Sequence, residues 1–131
     1  MNRTIRYVAA ALIALSMGVP ALAQDTSVEG LWVPDKNSDY QASLCGEKGD
    51  RFCLTVVELR GNMRKPENLK YVGKNIVNEA KPSGKNRWKG KIDLLGVSGD
   101  ATITLKNANT LHLKACAMFV VCKEINLKRK S

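Results

Sequence analysis

The residues best suited to chemistry in this chain are four cysteines, a single histidine and a few polar or aromatic side chains set among apolar neighbours. His112 alternates with Leu111 and Leu113, on the polar side of an extended run. No cysteine or carboxylate stands beside it at metal-ligand or general-base spacing, so it reads as an exposed strand residue. The serines lack the Gly-x-Ser-x-Gly pattern of a nucleophile elbow. Glu58 interrupts an apolar run; inside a barrel its carboxyl would be raised in pKa and become a ligand contact, whereas on an edge strand it would face solvent. Trp88, between Arg87 and Lys89, is either a core plug or an indole edge turned toward a ligand. Tyr40 joins Trp88 and Glu58 as a candidate ligand contact. No acid, base and nucleophile come together, so the expectation is a protein without catalysis, cofactor or metal.

The cysteines carry a different chemistry. Cys45, Cys53, Cys116 and Cys122 allow three pairings. Local pairs, Cys45 with Cys53 and Cys116 with Cys122, would each tie two strand ends across one turn, and geometry and folding order favour them. Loop entropy favours the long alternative: about 4.4 kcal/mol for a loop of some 70 residues against about 2.5 kcal/mol for a local one. Zinc is disfavoured, because the intervening stretches exceed those of metal knuckles and the expected compartment is oxidising.

That compartment follows from the first residues. Arg3 and Arg6 precede an apolar stretch over residues 7–19, Pro20 breaks it, and Ala21-Leu22-Ala23 has the small-x-small pattern of a signal-peptidase site. The expectation is a cleaved signal peptide at 1–23 and a periplasmic or secreted product. The stretch is too short for a spanning helix, and no cysteine follows the site to carry a lipid. Of the 131 residues, about 108 remain from Gln24, carrying a charge of about +7. They make one domain, 24–131, small enough to benefit from disulfide staples.

Within it the hydrophobic period is two. Ala101, Ile103 and Leu105 alternate with Thr102, Thr104 and Lys106, as a half-buried strand requires. Trp88, Gly90, Ile92 and Leu94 alternate with Lys89, Lys91 and Asp93. Residues 111–114 and 124–128 repeat the pattern, and 29–33 and 40–45 add further strands. Residues 52–59 are more uniformly apolar and read as covered on both sides. Between these runs lie turn clusters at 34–38, 46–50, 61–62, 82–86, 96–99 and 107–109. Asparagine at 107 and 109 suits a tight hairpin because it tolerates the left-handed conformation. Residues 63–77 are ambiguous, with a helical turn possible at Pro66-Glu67-Asn68-Leu69 and extended structure at Tyr71-Val72 and Ile76-Val77. The fold expected is all-β: a small antiparallel barrel or sandwich of seven or eight strands, closure being preferred because it removes open edges.

Gly30-Leu31-Trp32 resembles the Gly-x-Trp element of lipocalins and related calycin barrels. In order along the chain, Leu44-Cys45-Gly46, Phe52-Cys53-Leu54, Trp88-Lys89-Gly90 and Leu113-Lys114-Ala115-Cys116 followed by Cys122 resemble a secreted bacterial family of unknown function (domain of unknown function 2147). Where that family has Gly-Cys and a late tryptophan, this chain has Ala115-Cys116 and Ile125. The resemblance implies a signal peptide and a lipocalin-like barrel, with Gly30, Trp32 and Arg129 as structural residues at its end. It implies no activity.

The basic excess bears on partners. Lys81, Lys85, Arg87, Lys89 and Lys91 crowd one hairpin, and positive potential attracts polyanions. Specific nucleic-acid binding is not expected, since aromatic residues are only 5% of the chain and no RNA-binding motif is present. The function expected is an exported, non-enzymatic binding module carrying a small apolar or amphipathic molecule. The alternative is an envelope protein-interaction or inhibitor barrel with a filled interior, binding through basic loops. In either case an anionic envelope polymer or lipid head group is a possible partner. A basic lysozyme would repel the chain and is disfavoured as a target.

Overall fold

A computed structural model of the chain describes residues 27–94, 97–117 and 121–130. The expected leader lies outside the described residues, as do 95–96 and 118–120. The turn expected at 96–99 is not one over 97–99, where the backbone is already in strand and pairs with residues 92–94. Eight strands follow in order: β1 (Gly30–Val33), β2 (Ser38–Cys45), β3 (Arg51–Leu59), β4 (Asn75–Gly84), β5 (Arg87–Leu94), β6 (Val97–Asn107), β7 (Thr110–Ala117) and β8 (Val121–Arg129). Each pairs antiparallel with the next, and β8 returns to β1, so the sheet is a closed barrel.

Alternation sets the inside and outside of the later strands. Ile103 opposes both Trp88 and Leu113, all buried, while Thr102 opposes Lys89 and Lys114 on the outer face. In β3 the alternation is broken. Leu59 pairs with Ser38 and Glu58 with Asp39, but Val56 pairs with Tyr40, so Val57 is one residue too many. The bulge puts both Val57 and Glu58 outside and returns Leu59 to the interior. The expectation that 52–59 is covered on both sides therefore holds for Phe52, Cys53 and Leu54 but fails beyond Val56.

Between β3 and β4 the chain makes a 3₁₀ turn (Gly61–Met63) and a single helical turn α1 (Pro66–Leu69), opened by proline where its missing N–H costs nothing. Residues 76–77 are extended as expected, but Tyr71 and Val72 are not a strand: the chain turns there, with the Lys74 N–H donating to the Tyr71 carbonyl and Val72 making a single bridge to Val56. Met63, Leu69 and Tyr71 pack against the core from this connection. The turn expected at 82–86 is shorter, because β4 continues through Gly84 and only Lys85 and Asn86 reverse the chain. Left-handed asparagine occurs there, at Asn86 with φ 56°, and not at Asn107 or Asn109. Asn107 instead stabilises its turn by accepting the Asn109 N–H on its side-chain oxygen at 2.9 Å.

Both disulfides are local, Cys45–Cys53 and Cys116–Cys122. They tie the ends of β2 to β3 and of β7 to β8. Proximity in the hairpin ladders, which brings Cys116 directly opposite Cys122, outweighs the greater loop entropy of a long-range pairing.

Candidate functional site

Among the described residues the interior is filled. Trp32, Ala42, Phe52, Val77, Ala80, Ile103, Leu111 and Leu127 have no accessible surface at all. A void large enough for a ligand would leave exposed area on the residues that line it. Instead each large apolar side chain contributes about 1.5–3 kcal/mol by being fully removed from water. Two clefts open to solvent: one of about 310 Å³ has charged walls, with Glu47, Arg51, Glu79 and Lys81, and one of about 350 Å³ has a largely apolar wall, with Ile76 and Ile92 beside Asn75, Lys91 and Asp93.

The three candidate ligand contacts are spread over the molecule. Trp88 is 8% exposed; its ring lies 5.5 Å from that of Phe52, and its indole N–H donates to the Asp50 carbonyl at 3.0 Å. Its polar edge is thus used to fasten the β2–β3 loop. Tyr40 is buried, its phenol raised in pKa by burial while it hydrogen bonds to Ser38. Glu58 does not enter the lumen, because the bulge at Val57 sends it to the outer face. There it pairs with Arg60 at 3.2 Å.

Gly30, Trp32 and Arg129 do meet. The Arg129 guanidinium lies 4.3 Å from the Trp32 ring centroid and donates to the carbonyls of Ala108, Glu29 and Ser27 at 2.7–2.8 Å. Gly30 has φ +136°, and a Cβ there would stand 2.8 Å from an Arg129 nitrogen. The three residues meet at the β1–β8 seam. A second clasp spans the same seam from outside. Asp39, with 4% of its side chain exposed, accepts from Arg60 at 2.8 Å and from Lys130 at 2.7 Å. Hydrogen bonds from Arg60 and then Lys130 lower its pKa from 3.8 to about 2. Sequence reasoning missed this carboxylate. Its neighbours read as a turn cluster, and its partners lie 21 and 91 residues away.

The basic hairpin forms the most distinctive surface. Lys81 on β4 opposes Lys89 on β5, Lys89 opposes Thr102 on β6, and Thr102 opposes Lys114 on β7. With strands about 4.8 Å apart, the row spans roughly 14 Å. A parallel row places Arg87 opposite Thr104 and Thr104 opposite His112. Lys91 is neutralised by Asp100, and Glu124 engages His112 at 2.9 Å instead of its register partner Lys114. Among the described residues Lys81, Lys85, Arg87, Lys89 and Lys114 consequently have no acidic partner. The first four were visible as a charge cluster in the sequence. Lys114 needed the register of β6 and β7 to join them.

No three or more His, Cys, Asp or Glu side chains come together to hold a metal ion among the described residues. No family profile, curated protein or solved structure matches the chain.

Proposed function

We propose that this chain is an exported, non-enzymatic binding module that works through its exterior, with the basic face of β4 to β7 engaging an anionic polymer or lipid head groups. One observation carries this reading. Lys81 and Lys89 face each other across an antiparallel pair, and among the described residues neither forms an ion pair with an acid. Like charges directly opposite weaken a sheet, so the pair is a cost that an anionic partner would offset. Two local disulfides fit an oxidising compartment. A lipocalin-like barrel in the manner of the secreted family described above fits the closed sheet and the Gly30, Trp32 and Arg129 cluster. The filled interior supports an exterior role over carriage of a small apolar or amphipathic molecule.

The test titrates the oxidised protein with long-chain polyphosphate and, separately, with phosphatidylglycerol vesicles, each at about 50 and about 200 mM salt. Binding that weakens at least tenfold with salt, and at least tenfold again in Lys81→Gln/Lys89→Gln, is expected. The polyphosphate and vesicle arms distinguish a soluble polymer from a membrane surface. Equal binding by the double variant, or no binding to either probe, overturns the reading.

A further inference from the structure

The barrel closes unevenly. β1 meets β8 only at Trp32 with Arg129 and Val33 with Lys128, whereas β7 follows β8 along its whole length. Backbone direction shows what the short seam leaves open. The Arg129 N–H donates to Asn109 of the β7 side, and the Lys130 N–H donates to Leu31 of β1. Directions alternate along an antiparallel strand, so odd residues of β8 address β7 and even residues address the far edge. The N–H and C=O groups of Cys122, Glu124 and Asn126 therefore point where no strand runs among the described residues.

A comparable edge on β3 is covered. There the Val56 N–H donates to Lys74 and the Gly73 N–H to Val56, so the β3–β4 connection caps the strand. β8 has no such cap among the described residues. On the side of β8 that carries buried Leu127, its exposed end presents Val121, Lys123 and Ile125. Val121 is 60% exposed and Ile125 37%, although both continue the apolar alternation that ends inside the barrel.

We propose that the outer edge of β8 accepts an extended peptide as an added strand, the peptide carrying an acidic residue between two apolar ones at alternate positions. The apolar residues would cover Val121 and Ile125, and the acid would face Lys123, which has no acidic partner among the described residues. Main-chain hydrogen bonds supply affinity in this mode and alternate side chains supply specificity. The chain's net charge of +9 favours such a partner over a second copy. Symmetric pairing of two β8 edges centred on Lys123 or on Glu124 would also set like charges opposite each other.

The experiment is a titration of the ¹⁵N-labelled, disulfide-intact chain with an N-acetylated, C-amidated peptide of sequence valine-threonine-glutamate-threonine-valine. Saturable shifts at the amides of Cys122, Glu124 and Asn126 are expected, with at least tenfold weaker binding when lysine replaces the glutamate or when alternate peptide amides are N-methylated. Asn126→Pro removes one outward amide while sparing the groups that address β7, and is expected to weaken binding about tenfold without changing the circular dichroism spectrum. Should that variant not fold, the N-methylated peptide remains the decisive control. Equal binding of the N-methylated peptide, shifts confined to the Lys81 and Lys89 row, or no binding would overturn the proposal. So would concentration-dependent shifts of the same three amides without peptide, accompanied by a doubled mass, which would assign the edge to a second copy.

Discussion

Arg129 stands over Trp32 with its guanidinium 4.3 Å from the ring centroid, and the same group holds the Ser27 and Glu29 carbonyls across the seam where the barrel closes and the Ala108 carbonyl of the β6–β7 turn. One planar cation thus ties the last strand to the segment before β1, using its flat face for the indole and its edges for the carbonyls. Arg129→Ala should cost about 2–3 kcal/mol in denaturant unfolding, the sum of a partly exposed cation–π contact and charged hydrogen bonds. Arg129→Lys should recover less than half of that, because an ammonium cannot present the same fork of donors. Full recovery by lysine would show that charge alone matters at this end.

Gly30 is coupled to the same arginine. At φ +136° an L side chain is strained, and its Cβ would approach Arg129 to 2.8 Å. Gly30→Ala should therefore destabilise by about 1–3 kcal/mol. In Arg129→Ala the steric part disappears, so the two changes together should cost less than their sum in a double-mutant cycle.

The Asp39 clasp gives the fold an acid limit. Its folded pKa of about 2 lies below the ordinary 3.8, so the carboxylate's contribution is fully present above pH 3.8 and is lost as pH falls toward 2. Allowing for screening at the partly exposed Arg60 and Lys130, the loss should be about 1–2 kcal/mol. Urea unfolding at a series of pH values should show stability falling across this window, and falling less steeply in Asp39→Asn. Identical pH profiles for the two proteins would remove the clasp from the account of acid sensitivity.

Much of this architecture was legible in the sequence because each hairpin is local. Period-two alternation at 88–92, 101–106 and 111–114 fixed which side chains enter the core, and cysteines one turn apart paired as hairpin geometry favours. What escaped depends on single insertions and distant partners. The extra residue at Val57 leaves no mark in an apolar run, yet it reverses the facing of Glu58. Asp39 lies next to a cluster of turn-forming residues, and only Arg60 and Lys130 make its burial tolerable. The brevity of β1, and hence the open edge of β8, follows from pairing between opposite ends of the chain, about which local periodicity is silent.

The two disulfides should part company under reduction. Cys53 is 4% exposed and receives the Glu79 N–H on its sulfur, whereas Cys122 is exposed on the outer face of β8. A thiolate must reach a sulfur to begin exchange, so access decides the order. Brief treatment with dilute dithiothreitol, followed by alkylation and peptide mass spectrometry, should label Cys116 and Cys122 before Cys45 and Cys53. Simultaneous labelling of all four would mean that reduction proceeds through global unfolding instead.

Trp88 links the core to the loop beside the basic face, since its ring packs on Phe52 while its N–H holds the Asp50 carbonyl. Trp88→Phe keeps an aromatic ring against Phe52 but abandons the hydrogen bond and some volume, and should cost about 1–3 kcal/mol. Since Trp32 has no exposed surface and Trp88 only 8%, the native emission should be blue-shifted and resistant to acrylamide quenching. Trp88→Phe should leave a still more shielded signal, from Trp32 alone. Polyphosphate bound at the Lys81 and Lys89 row would not touch the indole of either tryptophan, so emission should stay constant while binding saturates. A marked quench on binding would instead mean that the anion reaches the interior, contrary to a closed and filled barrel.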